Sequence, residues 1–132
     1  CVVELDDGRL MAYGRGGEVD GTMPKSISAD MGQSWTIGAS QFPGIGSRQR
    51  SVLMRLQEGP ILLVSFDSDG IFATVSLDEG QTWKQRKYLT SDTKTYLAGK
   101  QSPNRVIHII ASIINQHYSF NLKWVYDDYN CP

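Results

Sequence analysis

Ser28-Ala29-Asp30-Met31-Gly32-Gln33-Ser34-Trp35 and Ser76-Leu77-Asp78-Glu79-Gly80-Gln81-Thr82-Trp83 are one eight-residue pattern, S-x-D-x-G-x-[ST]-W, written twice 48 residues apart. Each copy separates two segments of alternating polar and apolar residues, which places it in a hairpin turn. The residue types suit a corner that closes on itself. Asp30 and Asp78 can accept hydrogen bonds from amides further round the turn. Gly32 and Gly80 supply a positive φ that other residues resist. The hydroxyls of Ser28, Ser34, Ser76 and Thr82 can tie the two arms together, and Trp35 and Trp83 are expected to bury their rings beside the neighbouring sheet.

A corner recurring at this interval implies a repeated four-stranded unit, so the chain is expected to be all-β, built as blades of a β-propeller. Working outward from the corners, strands are predicted near 1–5, 9–14, 24–29 and 35–39 in a first blade (1–40). A second blade (50–89) takes strands near 50–56, 60–66, 71–77 and 83–88, and a third (95–126) takes 96–101, 105–111 and 117–125. Val52, Met54 and Leu56 alternate, as do Ile107 and Ile109. Asp7-Gly8, Glu58-Gly59 and Pro103-Asn104 mark the first turn of each blade. The third blade has Phe120-Asn121-Leu122-Lys123-Trp124 where a corner would stand, read here as strand. No helical period is apparent, and the tail from Tyr126 to Pro132 is expected to be loosely held. The 132 residues suffice for about three blades, whereas a closed wheel has four to eight. The chain therefore reads as part of a wheel, six-bladed by the resemblance below. Its remaining blades would come from a longer polypeptide or another copy.

The formal net charge of −1 gives no electrostatic case for nucleic acid or an anionic membrane as partner. No apolar run reaches the length of a membrane-spanning helix. Two cysteines make no disulfide framework, so unpaired thiols are expected ahead of a Cys1–Cys131 bridge. No metal or cofactor is expected. For His117 no second His or Cys is expected at metal spacing, since His108 reads as a strand-interior residue. Asp67-Ser68-Asp69-Gly70 has the look of a calcium loop, but Phe72 stands where the loop glycine belongs. Gly14-Arg15-Gly16 and Gly44-Ile45-Gly46 are too short to cradle a phosphate.

Up-and-down strand order sends the corners to one end and the longer loops (14–23, 38–49, 67–70, 89–95 and 112–116) to the other. A site is expected at that other end. Its candidates are Arg15, Arg48 and Arg50 as anion binders, Glu18 and Asp20 as paired carboxylates or sugar-hydroxyl ligands, and His117 with Tyr118 for hydrogen bonding and stacking on a carbohydrate.

The two corners resemble the Asp box of the sialidase and BNR-repeat proteins. Val2-Val3-Glu4-Leu5-Asp6-Asp7-Gly8-Arg9-Leu10-Met11, followed by Arg15, is similar to a sialidase stretch. There the arginine is one of three that clamp the substrate carboxylate. Tyr96, eight residues before Asn104 in Tyr96-Leu97-Ala98-Gly99-Lys100-Gln101-Ser102-Pro103-Asn104, matches the placement of the sialidase nucleophile. The resemblance implies a retaining exo-glycosidase acting on a terminal acidic sugar of a glycan, with Arg15 on the anion and Tyr96 attacking the anomeric carbon. A neutral phenol approaches an anionic substrate with less repulsion than a carboxylate would. With an ordinary pKa of about 10 it also needs a base to take its proton. The family's third arginine falls within Phe66-Asp67-Ser68-Asp69-Gly70-Ile71-Phe72, which has none, and its general base and first arginine would precede Cys1. The isolated chain is therefore expected not to turn over substrate. The alternative is a non-catalytic BNR-repeat propeller that binds carbohydrate or a protein partner. Secretion or a periplasmic location is what the resemblance implies.

Overall fold

The computed structural model describes residues 1–14, 19–46, 49–92 and 95–126. It is all-β apart from one short helix, and consists of three antiparallel sheets, none of them closed. Sheet 1 is β1 (Val2–Glu4), β2 (Leu10–Tyr13), β3 (Lys25–Ser28) and β4 (Thr36–Gly38). Sheet 2 is β5 (Val52–Arg55), β6 (Ile61–Asp67), β7 (Gly70–Ser76) and β8 (Lys87–Thr90). Sheet 3 is β9 (Leu97–Gln101), β10 (Ile107–Ala111) and β11 (Gln116–Phe120), and α1 (Leu122–Tyr126) follows it. Each sheet is a meander, every strand pairing with the next in sequence. The first strands adjoin one another: β1 lies against β5 and β5 against β9. Arg50 and Tyr96 form a parallel bridge, with the Leu97 amide donating to Arg50 O at 3.1 Å.

Sheet 2 is the middle layer, and its sequence shows it. Ile61-Leu62-Leu63-Val64 is a continuous apolar run because β6 is covered on both faces, and β7 is buried throughout. Between sheets 1 and 2 the core is aromatic. Phe42 stacks on Phe72 at 5.8 Å, and Trp83 meets Phe42 and Tyr13 edge-on at 5.4 and 6.2 Å. Toward sheet 3, Gly99 permits the close approach. A Cβ there would lie 2.8 Å from Ile109 Cδ1 and 2.9 Å from Val52 Cγ1.

The structure corrects the sequence reading in three places. Sheet 3 has the three strands read for it, but not with the bounds expected. Its last strand ends at Phe120, and the chain continues as α1, not as strand to residue 125. Asn121 explains the break: its Oδ1 accepts from the Trp124 amide at 3.0 Å, a helix N-cap. Val125 is then buried against the core and Trp124 leans on Phe120 at 5.0 Å. Strand β8 begins at Lys87 rather than at residue 83. Lys84 instead makes isolated bonds, its amide to Val75 O at 2.9 Å and its carbonyl to Thr74 Oγ1 at 2.6 Å. Finally, Trp35 is not buried beside another sheet; it is 38% exposed. Cys1 is a free, exposed thiol. Cys131 lies outside the described residues.

Candidate functional site

The two corners have nearly identical internal bonding. In each, the first serine hydroxyl donates to the aspartate Oδ1 at 2.8 Å, and accepts from the glycine amide four residues on at 2.8 Å. The same Oδ1 accepts the amide of Ser34 or Thr82 at 2.8 Å, and Oδ2 accepts that residue's hydroxyl. These bonds, the Ser34 and Thr82 hydroxyls foremost, hold Asp30 and Asp78 down at about 2. Both carboxylates are thus occupied by their own turns. Gly32 and Gly80 have φ of 90° and 88°, and Met31 and Glu79 before them are also left-handed at 62° and 60°.

At the opposite end, Arg50, Tyr96, Tyr13 and Cys1 come together. The Arg50 guanidinium sits 5.4 Å over the Tyr96 ring. Beside it is a hollow of about 270 Å³ lined by Cys1, Tyr13, Gly14, Ile45, Arg50 and Ser51. The Cys1 Sγ is 3.4 Å from Ser51 Oγ, and the Cys1 amino group donates to Tyr13 O at 3.1 Å. Burial pushes the Tyr13 phenol up to about 12, against an opposing effect of Trp83, so it stays protonated. The Ser112 amide donates to Tyr96 O at 3.1 Å, tying the β10–β11 loop to the same end. Cys1, Tyr13 and Ser51 were not singled out in the sequence. Their signal is that each sits at a strand end flanking a loop on this side.

The other candidates are dispersed. Asp20 is exposed at the tip of the tight Val19–Thr22 turn, with φ of 51°. His117 and Tyr118 lie in a second, wider groove of about 570 Å³ with Tyr88, Leu89, Phe120, Asn121 and Trp124, on the outer side of sheets 2 and 3. The structure does not bring them to Arg50 and Tyr96. His117 Nε2 is 3.0 Å from His108 Nδ1, and the two rings stack. Arg15, Glu18 and Arg48 lie outside the described residues.

The Asp67–Gly70 turn is held by groups of its own sheet. Burial would raise the Asp67 carboxyl, but bonds from Tyr88 OH and Arg86, each at 2.7 Å, and from the Asp69 amide keep it lowered. The Arg86 guanidinium also lies over the Phe72 ring at 4.7 Å. Among the described residues, no group of three or more His, Cys, Asp or Glu is placed to hold a metal ion. No helix there is long and apolar enough to cross a membrane. Compared with known proteins, the chain matches no family model and no curated protein.

Proposed function

We propose that the three sheets are blades of a sialidase-like β-propeller, and that the chain contributes part of a glycan site at the end holding Arg50 and Tyr96. Two features support the blade reading: the first strands of the three meanders adjoin in order, and the corners recur at one end. The observation that carries the site reading is the Arg50 guanidinium lying over the Tyr96 ring beside an open hollow. A fork of donors there suits a carboxylate, and an adjacent phenol suits attack on, or stacking against, a sugar bearing it. In this reading Tyr96 is the nucleophile and Arg15, from the stretch similar to that of sialidases, binds the anion.

The second reading, binding without turnover, is favoured by the Asp67 turn. Arg86, the cation nearest to the missing third arginine in that sheet, is committed to Asp67 and Phe72. An amide NMR titration of the chain with a sialic acid glycoside tests the site. Shifts centred on Arg50, Ser51 and Tyr96 are expected, with no response to the methyl ester. Equal response to both, or none, removes the acidic-sugar site. With the remaining blades present, hydrolysis separates the two readings: turnover abolished by Tyr96→Phe supports catalysis, while binding without turnover supports the alternative.

A further inference from the structure

Tyr96 stands immediately before β9, and two different elements hold the main chain around its ring. Toward sheet 2, the Leu97 amide donates to Arg50 O at 3.1 Å, within the Arg50–Tyr96 bridge. Within sheet 3, Tyr96 O accepts the Ser112 amide at 3.1 Å and the Ser112 hydroxyl at 3.4 Å. Ser112 opens the turn 112–115 between β10 and β11, in which Asn115 is left-handed with φ of 54°.

The residue that fastens this turn to Tyr96 is Thr95. Thr95 is polar yet completely buried. Its Oγ1 accepts the Ile113 amide at 3.0 Å and donates to Tyr96 O at the longer distance of 3.5 Å. One hydroxyl thus bonds to both of the segments that meet there. Branching at Cβ leaves χ1 few choices, so the hydroxyl is held in place. Ser112, Ile113 and Asn115 are themselves exposed, and burial does little to fix the turn they form. A valine in place of Thr95 would keep the shape but take the acceptor away from the Ile113 amide.

We propose that Thr95 is a positioning residue for Tyr96: its buried hydroxyl fastens the β10–β11 turn across Tyr96 O and so fixes the phenol ring beside the Arg50 guanidinium. A group that binds or attacks a sugar must be held to within about 0.5 Å, and the locking is done by neighbours that never touch the ligand. The inference rests on Arg50 and Tyr96 being site residues. The placement of one against the other can nevertheless be measured with no sugar present.

Side-chain NMR of the chain tests it. The Tyr96 ring shields the Arg50 side-chain protons that lie over it, and Tyr96→Leu sets their unshielded position. Thr95→Val should lose at least about half of that shielding, whereas Thr95→Ser, which keeps the hydroxyl, should retain it. Ile113→Pro removes the donor of the same bond at an exposed position and should act as Thr95→Val does. Full shielding in either variant would overturn the proposal. A Thr95→Val chain that is merely less stable in urea, with the Arg50 protons still shielded, would show a purely structural hydroxyl and overturn it too. If Thr95→Val fails to fold, Ile113→Pro decides. In a titration with the sialic acid glycoside, Thr95→Val should bind at least about fivefold more weakly than wild type, and Thr95→Ser within about twofold. Equal affinity of Thr95→Val and wild type would overturn the proposal. A wild type that does not bind removes the acidic-sugar reading, and the shielding then decides the role of Thr95.

Discussion

The two serine–aspartate corners are the same turn in different surroundings. Their hydroxyl, carboxylate and amide bonds match in geometry, yet the second is built into an interface and the first is not. The difference separates what a local motif determines from what its neighbour determines. The carboxylate and hydroxyls close the corner wherever it stands. The neighbouring sheet decides whether the corner also joins two sheets, through contacts to the residue before the glycine, the glycine itself and the terminal tryptophan. Glu79 reaches Arg55 through two bonds, at 2.6 and 2.9 Å, as well as the Asp6 amide. Met31 has no charge to offer and projects outward.

The largest expected divergence is at the tryptophans. Trp83→Ala removes a ring wedged against Tyr13 and Phe42 and should cost about 3 kcal/mol in a urea titration. Trp35→Ala should cost under about 1 kcal/mol. Next come the glycines. Gly80→Ala adds a methyl group against Met11 on top of an unfavourable φ and should cost about 2–3 kcal/mol. At Gly32 a Cβ would lie 3.7 Å from the nearest Trp35 atom, so Gly32→Ala should cost only about 1 kcal/mol for the φ. Glu79→Ala should lose about 1–2 kcal/mol, since it strips two charge-assisted bonds from a half-buried arginine. Met31→Ala should be neutral to within about 0.5 kcal/mol.

The smallest effect should be the same for both corners. Asp30 and Asp78 sit at about 2 in the folded chain, below the ordinary 3.8. A depressed carboxyl contributes stability above the unfolded pKa, and that contribution fades as pH falls from about 4 to about 2. Asp30→Asn and Asp78→Asn should each flatten the acid limb of a stability–pH curve by similar amounts, because the bonds that lower the carboxyl lie within the corner. A limb flattened by only one of them would show that the corners differ internally after all.

Much of the sheet structure could be read from residue patterns, because turn chemistry and period-two alternation are local. The S-x-D-x-G-x-[ST]-W corners, the Asp7-Gly8 and Glu58-Gly59 turns and the alternation of Ile107 and Ile109 each announced their place. What escaped depended on partners distant in sequence. Nothing local marks Trp83 as covered and Trp35 as bare, since their motifs are alike. Helix α1 did leave a local sign in Asn121 before Leu122-Lys123-Trp124-Val125-Tyr126, but five residues are too few for a periodicity to register. At the site end, Tyr96 and Arg50 were both legible as candidates. Their juxtaposition was not, because it arises from a parallel bridge between strands of different sheets. His117 and Tyr118 looked like neighbours of that site from their loop alone, whereas β11, on the outer side of sheet 3, carries them to a separate groove.

Amide hydrogen exchange resolved to single residues tests most directly whether one corner is docked and the other free. The Gly80 and Thr82 amides should exchange at least about tenfold more slowly than those of Gly32 and Ser34, despite matching 2.8 Å bonds in the two turns. Equal protection at the two corners would contradict the account.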